Sequence, residues 1–202
     1  LSPRLDARKR DRHDRIIAKL VGFLSKPKET FQKYPRSNTA ITAKYARAIA
    51  FYREGNLAKA IIALDHLITL EKENPYFWEL KGQILLEKNE KELARKAYEK
   101  AYSFSKDVII LQQLAKVELS LNTQKSNKDA LAYLEKAIRM TPDSAATWKQ
   151  LAIAQGRNGK IALAKLSLAE EALLRKDFAR ALKNALFVKK NLIQDLFAHQ
   201  RA

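Results

Sequence analysis

Histidine is the side chain most often used for metal binding and for acid–base catalysis near neutral pH. This chain has three histidines, His13, His66 and His199, and they are far apart in the sequence. A zinc-protease helix needs two imidazoles four residues apart in an HExxH motif, and none is present. The chain has no cysteine, so thiolate zinc sites, disulfides and cysteine nucleophiles are excluded. We therefore predict no metal site and no cofactor in this chain.

Carboxylates and activated serines are the other groups that could do chemistry. Glu170 and Glu171 are adjacent on a predicted helix. Neighbouring helical side chains diverge, so the pair is interpreted as an ordinary feature of a helix surface. The sequence has no glycine-rich phosphate loop and no GxSxG nucleophile motif. We expect no catalytic residue in the chain itself.

Small residues recur with a regular spacing that predicts tandem helix pairs. Ala48 and Gly82 are separated by about one tetratricopeptide repeat of 34 residues, and Ala60 and Ala94 have the same separation. Helices that cross closely need a small side chain at the crossing. The predicted crossing residues are Ala48, Gly82, Ala115 and Ala152 on the first helices, and Ala60, Ala94, Ala130 and Ala164 on the second. The pattern predicts an all-α tetratricopeptide-repeat fold, a right-handed superhelical solenoid of antiparallel helix pairs.

Helix-ending residues place the boundaries of these pairs. Gly55, Asn89 and Gly159 are predicted to end first helices in the left-handed conformation that glycine and asparagine tolerate. Pro75 is predicted to open a helix, and Asp177 to cap the last one. We predict a linker with capping helices over residues 1–40, a solenoid over 41–190 and a tail over 191–202. The solenoid pairs span about 41–74, 75–107, 108–144 and 145–178, with a final helix over 178–190.

Two pairs depart from the regular spacing. Ala115 and Ala130 are three residues further apart than their equivalents, and we assign the extra residues to a longer loop within Asn122–Asp129. In the fourth pair Glu171 falls where the other pairs have an apolar residue. The helix Lys160–Arg175 is therefore predicted to serve twice, closing the fourth pair and packing through Ala169 against Ala181 and Ala185 of the last helix.

The N-terminal segment carries an apolar stripe at helical spacing. A short helix is predicted after it, within Lys26–Tyr34. These residues are interpreted as a cap that leads into the repeats. The stripe consists of Ile16, Ile17, Leu20, Val21 and Leu24.

The first helix of each pair lines the inner surface of such solenoids. A mixture of aromatic, amide and lysine side chains is predicted there, and it suits an extended or helical peptide ligand. The alternative is that some of the tyrosines pack between repeats. The predicted ligand-facing residues are Tyr45, Ile49, Tyr52, Tyr76, Glu79, Gln83, Gln112, Lys116, Lys149 and Ile153.

The formal net charge of +17 is concentrated at the two ends of the chain. Residues 1–40 and 145–202 each carry 11 basic and 4 acidic side chains, and residues 41–144 carry 17 and 14. A protein that follows a phosphate backbone would carry its basic groups along the groove. We therefore expect no nucleic-acid partner, and an RNA-binding helical repeat is the less favoured alternative. No segment approaches the ~20 apolar residues of a transmembrane helix.

Five segments resemble one protein family. They are AKLVGFL (Ala18–Leu24), KYARAIAFYREG (Lys44–Gly55), NPYFWELKGQILLE (Asn74–Glu87), WKQLAIAQGRNG (Trp148–Gly159) and AEEALLRKDFARA (Ala169–Ala181). Together they resemble the C-terminal tetratricopeptide part of BepA-like (YfgC-like) periplasmic zinc metalloproteases of Gram-negative bacteria, particularly the alphaproteobacterial branch.

The resemblance implies a longer parent protein with an N-terminal HExxH domain that binds zinc. Because the sequence begins at Leu1, we expect it to be a fragment or a processed product. The resemblance also implies a periplasmic location and binding of substrates or of the outer-membrane assembly machinery. None of the family's catalytic or zinc-binding residues has a counterpart in this sequence. A free-standing scaffold or cochaperone is the alternative interpretation.

Overall fold

The computed structural model describes the backbone of residues 3–199 and the side chains of residues 13–191. This part of the chain is all-α, as predicted, and contains no β-strand. It divides into two compact units, residues 1–104 and residues 105–202. The helices are α1 (Pro3–Leu24), α2 (Pro27–Lys33), α3 (Ile41–Arg53), α4 (Leu57–Leu70), α5 (Pro75–Glu87), α6 (Lys91–Ser105), α7 (Val108–Leu121), α8 (Gln124–Met140), α9 (Ala145–Arg157), α10 (Ile161–Leu174) and α11 (Phe178–His199).

In the first unit, small residues lie where the paired helices meet. Ala48 of α3 and Ala60 of α4 are fully buried beside Leu64. In the next pair, a Cβ added to Gly82 of α5 would lie only 2.8 Å from the ring of Tyr98 on α6. This separation is too short for two carbon atoms that are not bonded, so glycine allows the ring to pack directly on the helix backbone. All eight predicted crossing residues are buried.

The ends of the first helices follow the predicted turn chemistry. Gly55, Asn89 and Gly159 have φ angles of 81°, 60° and 74°, which confirms the left-handed conformation expected there. Pro75 occupies the first turn of α5, and Asp177 accepts a hydrogen bond from the backbone N–H of Arg180 (3.1 Å). The pair boundaries therefore arise from local backbone preferences.

The longer third pair differs from the sequence prediction. The loop before α8 is no longer than its equivalents, because α8 already begins at Gln124. The extra residues form an additional first turn of α8, so their assignment to a loop was wrong. Thr123 starts this turn: its hydroxyl accepts a hydrogen bond from the backbone N–H of Ser126 (3.1 Å), and the Ser126 hydroxyl accepts one from the N–H of Thr123 (2.8 Å). This capping box explains why a polar sequence is helical.

In the second unit, α10 packs against both α9 and α11, which confirms its predicted double role. Ala169 and Ala181 are buried, as expected. Ala185 is exposed, and the buried residue on that side of α11 is Asn184. The helix continues past the predicted boundary at residue 190 as far as His199. The side chains of residues 192–202, most of the predicted tail, lie outside the described part of the chain.

The N-terminal cap consists of α1 and the short α2, and α1 packs along α3. The predicted stripe only partly faces the fold: Ile17 and Val21 are half-buried, whereas Ile16, Leu20 and Leu24 are exposed. The buried residues of α1 are the small Ala18 and Gly22. A Cβ on Gly22 would lie 2.8 Å from the Cβ of Ile49. The two helices therefore approach closely through a small-residue face.

Candidate protein-binding site

The open side of α3 and α5 in the first unit, called the inner face below, carries a connected polar group. The Tyr52 hydroxyl donates a hydrogen bond to Glu87 Oε1 at 2.5 Å. The Gln83 amide donates to the Tyr52 oxygen at 2.7 Å. Tyr52 and Gln83 were both predicted to face a ligand, and the structure brings them together. The three side chains form a fixed set of donors and acceptors at an open surface.

The environment of Tyr52 favours its neutral form. Partial burial raises the pKa of the Tyr52 hydroxyl to about 12, and the hydrogen bond to the Glu87 carboxylate adds to the rise. Tyr52 therefore remains a hydrogen-bond donor throughout the physiological pH range. Phe23 of α1 lies edge-on to its ring, with 6.4 Å between ring centroids, which holds the phenol in place.

Two residues predicted to face a ligand lie instead in the core. Tyr45 is 4% exposed and Ile49 is fully buried. The Tyr45 ring packs at a tilt of 57° against Phe77 of α5, with ring centroids 5.0 Å apart, and Ile49 packs against Gly22 of α1. Their prediction as ligand contacts was wrong. Tyr45 packs between repeats, which was the alternative for the tyrosines, and Ile49 is covered by α1.

Charged contacts hold α1 in position. Arg15 binds the Glu71 carboxylate through both guanidinium nitrogens, at 2.5 and 2.7 Å, and lowers the pKa of that carboxyl despite partial burial. Lys19 lies 3.5 Å from Glu79 and 5.0 Å from the ring centroid of Tyr76. Glu79 and Tyr76 therefore do face the inner side, but α1 of the same chain already contacts them.

The remaining predicted ligand contacts belong to the second unit. Gln112 of α7 donates a hydrogen bond to the hydroxyl of Thr147 on α9 at 2.8 Å, so its amide joins two first helices. Lys116, Lys149 and Ile153 are exposed and remain available to a partner.

No cluster of His, Asp or Glu in the described side chains could hold a metal ion. Glu171 was interpreted as part of a surface pair, and that interpretation was wrong. Its side chain is almost fully buried between α10 and α11, where it binds Arg175 and, at 2.6 Å, Arg180. The carboxylate is saturated by two guanidinium groups, which fits a structural ion pair. In the described part of the chain, no helix is both long and apolar enough to cross a bilayer.

Several residues of the site were not predicted from the sequence. Glu87 follows the expected inner-face register of α5, one turn after Gln83, and could have been found from that spacing. The contacts made by Arg15, Lys19 and Phe23 of α1 were harder to predict from the sequence. The pattern that indicates them is the pair of small residues Ala18 and Gly22, four residues apart. That spacing indicates a close helix crossing but does not identify the partner helix.

Comparison with known proteins supports the same architecture. The tetratricopeptide repeat family matches residues 45–107. A curated relative, anaphase-promoting complex subunit 7 of Dictyostelium discoideum, is 28% identical over 100 residues. The match covers 50% of this chain but only 17% of that subunit.

Solved structures extend the likeness over most of the chain. MamA 41-end from Desulfovibrio magneticus RS-1 has a TM-score of 0.68 at 16% identity, covering 82% of this chain and 95% of that one. YrrB, described as a TPR protein with an unusual peptide-binding site, has a TM-score of 0.66 at 15% identity, covering 84% and 89%. At these identities the likeness concerns the fold alone. The chain has a fold of the tetratricopeptide-repeat type.

Proposed function

We propose that this chain is a protein-interaction module that binds segments of other proteins on its first helices. The observation that carries the proposal is the Tyr52–Gln83–Glu87 group, a preformed set of polar contacts on an open face. The tetratricopeptide-type fold supports it, as does the peptide-binding site in the description of YrrB.

An array of synthetic peptides tests this proposal. Peptides tiled along an unfolded outer-membrane protein would be probed with the chain, and with a variant in which Tyr52, Gln83 and Lys116 are all replaced by Ala. We expect the triple variant to lose most of the bound peptides while its circular dichroism stays unchanged. A variant with Ile62→Ala on the exposed side of α4 is the control. Equal binding by the chain and the triple variant would contradict the proposal.

We further propose that the chain is the non-catalytic C-terminal part of a secreted HExxH zinc metalloprotease that acts in envelope or outer-membrane protein quality control. The support is the resemblance of the five segments, including AEEALLRKDFARA over residues 169–181. This interpretation gives the parent a periplasmic location, a zinc ion and contact with the outer-membrane assembly machinery. In it, the zinc would activate a water molecule with the motif's glutamate as general base.

Sequencing the coding region upstream of Leu1 tests the proposed parent. We expect a signal peptide and an HExxH motif there, and a purified parent that cleaves casein until a chelator is added. The chain by itself is expected to bind no stoichiometric zinc and to leave casein intact. A start codon immediately before Leu1 would contradict the protease parent.

A free-standing scaffold is the second candidate. The curated relative is by name a subunit of a larger complex, which favours an assembly role for similar helical repeats. The upstream sequence distinguishes the two candidates, because a scaffold of this kind needs no protease domain.

A further inference from the structure

A second groove lies in the first unit among α4, α5 and α6, and its lining includes none of the inner-face residues named above. It encloses about 770 Å³. Its floor is formed by Trp78, Leu85 and Ala97, and its sides include Ile61 and the exposed Leu93. An apolar floor of this kind remains poorly packed unless another apolar surface covers it.

Lysines line the edges of this groove. Lys81 pairs with Asp65 at 2.5 Å, and Lys88 with Glu90 at 2.5 Å. Lys96 and Lys100 are exposed on the same side of α6, and neither has an ion-pair partner among the described side chains.

The acidic side chains of the groove are already engaged. Glu90 binds Lys88, and Glu99 lies 3.8 Å from Arg95. The free charge beside the groove is therefore positive. At the equivalent positions the other pairs have Ile62 and His66, Ala132 and Lys136, and Leu166 and Glu170, so only the second pair carries both lysines.

The groove favours a helical ligand over an extended one. Its lining residues lie in helices or in the turn after α5, where the backbone N–H of Glu90 already donates to Leu85 O at 2.8 Å. An extended segment would bring unpaired N–H and C=O groups against the apolar floor, whereas a helix satisfies its own. The wall from Leu93 to Ser103 is about 15 Å long, which corresponds to roughly three helical turns.

We propose that this groove binds an acidic amphipathic helix of a partner protein. The apolar ridge of that helix covers Trp78, Leu85 and Leu93. Carboxylates one turn apart on the helix pair with Lys96 and Lys100. This surface is separate from the inner face, so its test does not depend on the function proposed above.

A designed peptide can test the proposal. The probe is a fluorescently labelled, capped, alanine-based helix of 14 residues, with leucines along one face and glutamates beside them. Its binding is measured by fluorescence anisotropy. We expect saturable binding of this peptide to the unmodified chain. The double variant Lys96→Glu with Lys100→Glu should weaken it about tenfold or more, since two exposed ion pairs become repulsive. Lys125→Glu with Lys128→Glu on α8 makes the same change in net charge at residues that do not line the groove, and it should change affinity less than about twofold.

The position of the bound peptide is tested with two leucines of nearly equal exposure. Leu93, in the groove, is 49% exposed and Leu70, outside it, is 48% exposed. Leu93→Ser should weaken binding, and Leu70→Ser should not. The proposal is overturned if a control peptide with alanine in place of every leucine binds equally well, if Leu93→Ser has no effect, or if a single-stranded RNA 12-mer competes as strongly as the acidic helix. The last result would indicate a site for polyanions instead.

Discussion

Side chains of one or no carbon atoms determine how closely these helices approach. Ala60 on α4 is fully buried at a helix crossing, whereas Ala58, two residues earlier on the same helix, is exposed. Substituting each by Leu adds the same atoms in two different environments. Only the buried position has no space for them.

We expect Ala60→Leu to lower the free energy of unfolding by about 1–3 kcal/mol, because the added carbons force the helices apart. Ala58→Leu should change it by less than about 0.5 kcal/mol. Urea unfolding followed by circular dichroism measures both. Equal stabilities for the two variants would mean that the helix register is wrong.

The hydroxyl of Tyr52 gives a pH prediction. Its pKa is about 12 in the folded chain, against an ordinary value near 10. Between these values the unfolded chain has released the proton while the folded chain still holds it, so stability falls as pH rises. We expect the wild type to lose more stability than Tyr52→Phe between pH 9 and pH 11.5. Urea midpoints at the two pH values test this, and parallel losses in both proteins would contradict it.

At the scale of elements, Glu171 joins the last two helices of the second unit through Arg175 and Arg180. We expect Glu171→Gln to loosen α11 from α10, because a neutral amide cannot form ion pairs with the two arginines. The free energy of unfolding should fall by about 1–3 kcal/mol and no more, since the half-exposed arginines remain hydrated. Hydrogen exchange should accelerate for the amides of α11 and much less for those of α9. Glu170→Gln, at the neighbouring half-exposed carboxylate, is the control and should leave both rates unchanged.

The attachment of α1 is a second element-scale prediction. Gly22 and Gly156 are both helical glycines, but only Gly22 has another helix against its Cα. Gly156→Ala should stabilise the chain by about 0.5–1 kcal/mol through helix propensity, whereas Gly22→Ala should destabilise it by crowding Ile49. Thermal melts of the two variants should therefore move in opposite directions.

Sequence reasoning identified the elements better than their partners. The small-residue spacing and the turn residues Gly55, Asn89 and Gly159 indicated most helix boundaries, because both are local requirements of the backbone. The placement of α1 on α3 depends on contacts between distant segments, which no local pattern encodes. For the same reason the sequence left open whether Tyr45 packs between repeats, and it did not show that Ile49 would be buried. Tyr52 and Gln83 were placed on the same face because their register continues through consecutive repeats, and the structure joins them by a hydrogen bond.

At the scale of the whole molecule, each of the two compact units has a buried core of its own. Leu64 and Ile84 are fully buried in residues 1–104, and Leu114 and Leu134 are nearly or fully buried in residues 105–202. In repeat proteins stability depends mainly on contacts between neighbouring elements. We expect fragments 1–104 and 105–202 each to be helical and to melt cooperatively when expressed alone. A fragment without a cooperative melt would show that its core depends on the other half.

The position of α1 also affects how tightly any partner can bind. Ile49 lies against Gly22 of α1, and Tyr45 lies beside α1 and Phe77. We expect these two side chains to become accessible only in an open fraction of molecules in which α1 has left α3. A ligand that needs those side chains would have an apparent dissociation constant equal to its intrinsic one divided by that open fraction. A ligand confined to Tyr52, Gln83 and Glu87 would not be weakened in this way. Substitutions that loosen α1 should thus strengthen the first kind of partner. The second kind should gain nothing, because α1 supplies the Phe23 ring that holds Tyr52. The sign of the change in affinity therefore reports which part of the inner face a partner uses.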